Sequence, residues 1–331
     1  MKTSASNKVR LYDNTRLSAY KNCPRFYYYR HVRDWVPDGQ QWPLIFGSSW
    51  HAAMDYIWSA FLGENPHKGT VEEIARGAFN AWKEKWVKEG GPDPADMDYS
   101  LIEELSPRTP GNAWEMIVAY VHDRKEQLRS FKLVDVEKAF AVPLDSIEPI
   151  FYIGKIDKLV IRDGKYIGLE HKTSTAYKKG GPFRGGFIDS FSPNAQVDGY
   201  LFALHMLYPG KVGGIWVDAA LVHKSEEGFM FIPVEKQLAM LDAWLWETRD
   251  WIKRVEMDKD NLVTTLETDH TMQAFPKNTN SCWNFNRACP YMDCCKAWPN
   301  PKGRTKPPGM IEDKWDPLKH LGPIEGLTDG N

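Results

Sequence analysis

The chain has 331 residues, 42% of them hydrophobic and 26% charged, which leaves room for one large domain or two ordinary ones with a substantial core. A net charge of only -2 excludes a global pull towards nucleic acid, so such a partner has to be met by a local basic patch. No apolar run reaches the length of a membrane span and the N-terminal stretch holds no secretory h-region, while five cysteines, odd in number and clustered, argue against a secreted disulfide framework. The expectation is a soluble protein of the cytoplasm, a reducing compartment. Its 14 tryptophans supply flat faces for a core or for stacking on bases.

In chain order, NTRLSAYKNCPRFYYYRHVRDW reads as a helix, with Leu17, Tyr20 and Phe26–Tyr28 at helical spacing, Asn14 or Thr15 as cap and a break at Pro24. SSWHAAMDYIWSAFLG predicts a second helix with Trp50, Met54, Ile57 and Phe61 on one side. Two more are expected over 71–89 and 111–130, separated by the loop GGPDPADMDYS. From Leu133 the pattern changes to strands: KLVDVEKAFAVPLD, FYIGKIDKLVIR and KYIGLEHKTS. A helix follows over SPNAQVDGYLFALHMLY, with Ser192 as N-cap and Pro193 at its first position. GGIWVDAALVHK and GFMFIPV form a strand pair, and EKQLAMLDAWLWETRDWIKRVEM a long amphipathic helix.

The fold class expected is α/β: a mixed central sheet flanked by helices, with a helical insertion before it. Residues 1–132 form an N-terminal helical region, 133–235 the sheet-bearing core, 236–298 a C-terminal helix with the cysteines, and 299–331 a poorly packed Pro/Gly-rich tail, together one compact domain.

The stretch GKIDKLVIRDGKYIGLEHKTS carries the chemistry. Asp163-Gly164 is a two-residue hairpin turn, which sets Arg162 against Lys165 and, by count, Asp157 against Glu170. Directly opposed residues have Cβ atoms about 4.5–5.5 Å apart, and like charges there destabilise the pair. A divalent cation offsets that repulsion; so, in part, would lysines, since the same register sets Lys155 against Lys172. Alternation puts Glu170 and Lys172 on one face and Leu169 and His171 on the other. The competing reading is a solvated surface hairpin.

Asp157 after GKI, followed by EHK at Glu170–Lys172, resembles the D…(D/E)-x-K signature of the PD-(D/E)XK nuclease superfamily. Gln196 and Tyr200, four apart on one helix face, resemble the Q-x-x-x-Y motif of the RecB-like branch, and FGSSWHAAMD its early G…H motif, with His51 as the histidine. The resemblance runs from about residue 16 to 295, and residues 60–130 match no motif. It implies a restriction-endonuclease-like core and a metal-dependent DNase, an exonuclease in many relatives, acting in DNA repair, recombination or phage DNA processing. Asp157 and Glu170, with His51 and the His171 carbonyl, would hold Mg²⁺ or Mn²⁺; Lys172 would position or activate water; Gln196 and Tyr200 would hold the DNA. DNA, single-stranded or as duplex ends, is the implied partner, with a helicase or recombination protein as a second. The alternative is a catalytically inactive nuclease fold that binds DNA ends or a protein. Glu137 is an outside candidate for a further acidic ligand.

SCWNFNRACPYMDCCKAW holds four of the five cysteines, and LSAYKNCPRFYYYR the other. Iron–sulfur members of the RecB-like branch place one cysteine early and three late, and CPYMDCC resembles their C-P-Y-x-x-x-C ending. The resemblance implies a [4Fe-4S] cluster on Cys23, Cys282, Cys289 and Cys295, with Cys294 spare. On the residues alone, four thiolates suit Zn²⁺ as well. Either occupant would clamp the two ends of the chain together.

Two stretches suit phosphate contact. In TSTAYKKGGPFRGGFIDSFS, Lys178, Lys179 and Arg184 alternate with Tyr177, Phe183 and Phe187, a pattern fit for a single strand. Lys21, Arg25, Arg30 and Arg33 form a second basic strip near Cys23.

Overall fold

A computed structural model describes residues 9–321, apart from 65, 67–68 and 285–286. In chain order its elements are β1 (Arg10–Tyr12), α1 (Asn14–Asn22), α2 (Pro24–Tyr27), β2 (Trp35–Pro37), α3 (Trp42–Leu62), α4 (Val71–Lys88), α5 (Tyr99–Leu105) and α6 (Pro110–Leu128). The sheet strands and their helices follow: β3 (Lys132–Pro143), β4 (Ile150–Arg162), β5 (Lys165–Ser174), α7 (Gly185–Asp189), α8 (Ala195–Leu207), β6 (Val212–Leu221) and β7 (Phe229–Val234). The chain then forms α9 (Leu238–Thr264), the short pair β8 (Trp283–Asn284) and β9 (Arg287–Ala288), α10 (Met292–Ala297), β10 (Met310–Glu312) and α11 (Pro317–Leu321). It groups into two compact units, residues 40–138 with 155–237, and residues 1–39 with 139–154 and 238–331.

In the unit of residues 40–138 and 155–237, β5 pairs antiparallel with β4 and parallel with β6, and β6 pairs antiparallel with β7. The sheet is therefore mixed and flanked by helices, as expected for an α/β protein. Helix α4 shows why the bundle forms: a Thr70–Glu73 capping box starts it, and Ile74, Ala78, Trp82 and Trp86 recur on one buried stripe. That stripe meets Phe46, Trp50, Ile57 and Trp58 of α3 and Ile117, Tyr120 and Val121 of α6, and the same core takes in Val160 and Leu169 from the sheet. On the neighbouring residue of β5, Gly168 lets α8 approach: a Cβ there would stand 3.3 Å from Leu204 and 2.6 Å from Ile215.

Several helix starts differ from the sequence reading. Asn194, not Ser192, caps α8, because its carboxamide oxygen reaches the N–H groups of both Gln196 and Val197. Asp13 caps α1 by accepting from Arg16 N–H. Helix α3 begins at Trp42, with proline in its first turn, before the periodic stretch used to predict it. Helix α5, capped by Asp98, was not expected.

In the other unit, β1 pairs parallel with Ile150–Tyr152 of β4, and α1 packs on α9, where Tyr20 Oη donates to Asp258 at 2.6 Å. Tyr27 stacks on Phe275, Tyr29 on Trp35 and on Tyr291. The expected loose tail does not hold over its described part. Met310–Glu312 pairs antiparallel with Trp35–Pro37, Asn300 is buried with its amide donating to Leu266 and Asp269 carbonyls, and Trp315 Nε1 donates to Asp13 at 2.9 Å. Prolines and glycines here shape a bonded return strand. Residues 322–331 lie outside the described residues. Among the described residues no helix is long and apolar enough to cross a membrane.

Candidate active site

The Asp163-Gly164 turn carries positive φ at both residues, 51° and 75°, the twist that a two-residue hairpin needs. It sets the register Arg162↔Lys165 through Lys158↔Leu169, as read from the sequence. The expected cross-strand pair Asp157/Glu170 is not part of that ladder: beyond Lys158, Asp157 Oδ2 accepts instead from the His171 backbone N–H at 2.7 Å. A carboxylate that takes a main-chain donor has left simple pairing, yet it remains beside Glu170.

Both acids are buried, Asp157 at 8% and Glu170 at 3% exposure. Glu170 Oε1 accepts from Lys172 Nζ at 2.6 Å and from Gln196 Nε2 at 3.0 Å. Gln196 Nε2 also donates to Tyr200 Oη at 3.1 Å. His51 Nδ1, from α3, lies 3.3 Å from Asp157 Oδ1. Five expected residues (His51, Asp157, Glu170, Lys172, Gln196) thus share one site, with Tyr200 joined through Gln196. Lys155 does not face Lys172. It pairs with Glu137 at 2.8 Å.

The His171 side chain points to the opposite face from Glu170, as alternation predicts. Its Nδ1 lies 3.1 Å from Asp218 Oδ2, so its main chain bonds Asp157 while its ring borders the site only at His51, with centroids 6.0 Å apart. Asp218, Tyr120 and Lys158 were missed in the sequence. The signal for Asp218 and Lys158 was a charged residue inside an apolar strand, WVDAAL and IDKLVI, where only a partnered charge is tolerated; Tyr120, on α6, carried none.

The acids differ electrostatically. Burial pushes the Glu170 carboxyl up, and the Asp157 charge adds to this against Lys172 and His51. Burial also acts to raise Asp157, but His51, then His171 and Lys158, hold it well below the usual carboxylate range. For Lys172, burial disfavours the ammonium form, but Glu170 and Asp157 outweigh it and raise its pKa. His51 is raised likewise, burial opposing and Asp157 prevailing.

Among the described residues, no group of three or more His, Cys, Asp or Glu side chains stands in metal-holding geometry. The donor set at the acids nevertheless fits a hard divalent cation: Glu170 Oε2 is buried without a hydrogen-bond partner, and two carboxylates with an imidazole suit Mg²⁺ or Mn²⁺.

In the other unit, Cys23 lies between α1 and α2 with its Sγ accepting from Asn278 N–H at 3.3 Å. Cys289 N–H donates to the Cys282 carbonyl at 2.8 Å across the β8–β9 turn, and Cys295 sits on α10. The Cys289 thiol is pushed up by burial and also by charge on Cys295, Cys23 and Cys282. Among the described residues these cysteines do not stand as a group in metal-holding geometry. Cys294 is buried and answers chiefly to burial and to Cys295.

Both expected nucleic-acid surfaces change. Phe183 is buried and packs on Phe187, which packs on Phe191, and Tyr177 packs against His223 at a tilt. The aromatics of this loop are engaged with protein, and its exposed chemistry is Lys178, Lys179 and Arg184. In the second strip, Arg25 is buried on the Phe275 carbonyl, Arg30 bonds Asp313, and Arg33 bonds the Pro301 and Arg304 carbonyls. A cleft of about 860 Å³ in the unit of the acids is rimmed by Glu115, Asp123, Glu226 and Glu227 and includes none of the site residues. Its charge repels phosphate.

Residues 14–296 match the model of the PD-(D/E)XK nuclease superfamily, and the chain belongs to that superfamily. It is a nuclease by family, with the α/β fold that the family carries. No curated protein matches. Among solved structures, an exonuclease candidate from Eubacterium rectale is 14% identical, with 96% of this chain and 94% of that chain covered and a TM-score of 0.48.

Proposed function

We propose that this nuclease is a metal-dependent deoxyribonuclease of the RecB-like branch, acting as an exonuclease on DNA ends and leaving 5′-phosphate and 3′-hydroxyl products. The reading is carried by one observation: the buried, unpartnered Glu170 Oε2 beside Asp157, within a set that also contains Lys172 and Gln196. Asp157, Glu170 and His51, with the His171 carbonyl, would hold Mg²⁺ or Mn²⁺. Such an ion, when bound, polarises a phosphoryl oxygen and acidifies a water ligand.

Lys172 keeps its proton in the field of the two acids. Its role would be to position or activate the attacking water and to offset charge on the phosphate. Gln196 fixes the Glu170 carboxylate and, with Tyr200, holds the strand near the scissile phosphate. Lys178, Lys179 and Arg184 offer the phosphate backbone a local basic patch. In the other unit, Cys23, Cys282, Cys289 and Cys295 would hold a [4Fe-4S] cluster, with Zn²⁺ as the competing occupant.

The test is digestion of end-labelled single-stranded, duplex and circular DNA with Mg²⁺ or Mn²⁺. Metal-dependent loss of linear substrates, with circles spared, is expected. Lys172→Ala should lower the rate by about 100-fold or more, in line with removal of one preorganised charge. Full activity in that variant would overturn the mechanism.

A further inference from the structure

Behind β5 lies a buried polar set that the reaction above does not use. Asp218, on β6, is the Cα register partner of His171 and is 1% exposed. Its Oδ2 accepts from Tyr120 Oη of α6 at 2.6 Å, and that hydroxyl accepts from Trp58 Nε1 of α3 at 3.2 Å. Arg124, also on α6, brings Nη2 to 3.9 Å from Oδ1. The same Oδ2 lies 3.1 Å from His171 Nδ1, close but out of line for a hydrogen bond.

His171 in turn touches the site twice. Its backbone N–H holds Asp157 Oδ2 at 2.7 Å. Its ring, fully buried, stands edge-on to His51 with centroids 6.0 Å apart, and edge-on to Trp58 at 6.2 Å. A carboxylate this deep is costly to desolvate, so its presence calls for a reason beyond packing.

The geometry points to Asp218 and Tyr120 as positioning residues: together they seat His171 and, through its main chain and ring, set Asp157 and His51 for the metal. This rests on the metal-site reading of Asp157, Glu170 and His51. It gives α6, within the stretch of residues 60–130 that matches no motif, a part in catalysis. Partners that orient metal ligands from behind are worth about 10–100-fold in metal affinity or activity when removed.

The experiment uses the full chain and its Tyr120→Phe, Asp218→Asn and doubly substituted forms. Three quantities are measured: the melting temperature, direct Mn²⁺ binding by calorimetry, and kcat and KM for linear DNA. Tyr120→Phe removes one oxygen and guards against failure of Asp218→Asn to fold. Mn²⁺ affinity and kcat are expected to fall by about 10-fold or more, with KM for DNA changed less than about two-fold. The double variant should lose no more than the worse single one, as groups acting in one network do. Unchanged Mn²⁺ affinity in folded Tyr120→Phe would overturn the inference, as would losses in the two variants that simply add. Wild type and Glu170→Gln serve as the control. If wild type binds no Mn²⁺, or Glu170→Gln binds as well as wild type, the metal-site reading fails first.

Discussion

His31 sits against Tyr27, ring centroids 5.2 Å apart, and both of its ring nitrogens are buried without a hydrogen-bond partner. Burial, then Arg30 and Arg16, press its pKa down to about 3. Below about pH 6.5 the unfolded chain takes up a proton that the folded chain refuses. Its contribution to stability is therefore complete above that pH and is lost progressively as the pH falls towards 3. His171 acts in the same sense, and His51, whose pKa is raised, in the opposite one. Urea midpoints at pH 7.5 and 5 should show a drop for wild type, and a smaller drop for His31→Gln. An equal drop in both would assign the acid sensitivity elsewhere. The residues of the candidate site were legible singly, because D, E-x-K and Q-x-x-x-Y carry their chemistry in their spacing. Their bonding was not: nothing in the chain says that Asp157 takes a backbone amide, or that Lys172 and Gln196 meet on one oxygen.

Helices α4 and α8 show what an element needs beyond its pattern. Trp82 stacks on Trp86 with centroids 4.9 Å apart and on Phe79 at 5.8 Å, and it is fully buried. Trp82→Ala should cost about 3–5 kcal/mol, a large share of the roughly 5–15 kcal/mol that holds such domains. Chemical denaturation reads this as a lower midpoint with an unchanged slope. Asn194→Ala, which strips two N–H groups at the start of α8 of their acceptor, should cost about 1 kcal/mol. Since α8 carries Gln196 in its first turn, the same variant should also reduce kcat. The hairpin was legible from Arg162 to Lys158 because a two-residue turn encodes register, but not beyond, where Asp157 takes a backbone amide. The start of α3 was not, because its first turn was judged by periodicity while proline and packing decided it.

At the scale of the chain, segments distant in sequence meet within each unit. Asn278 and Ser281 bond the Asn22 carbonyl, and Tyr291 Oη bonds that of Trp35, so Cys23 is brought to the late cysteines by protein contacts as well as by anything the thiols hold. Iron and sulfide analysis of anaerobically purified protein should find a cluster in wild type and in Cys294→Ser, and a loss in Cys295→Ser. The reverse pattern would mean that the adjacent cysteines have exchanged roles, and zinc in place of iron would leave the quartet but not the cluster. The sequence alone determined the α/β class, the hairpin turn with its register as far as Lys158, and which two acids come together beside it, because turn chemistry, alternation and motif spacing are local or short-range properties. Only the tertiary structure decided that Arg25, Arg30 and Arg33 are consumed inside the protein, that the late Pro/Gly segment returns as a strand, and that Asp218 and Tyr120 stand behind His171. Those outcomes depend on which groups find partners across long stretches of chain, and a buried charge or amide is settled by the partner it meets.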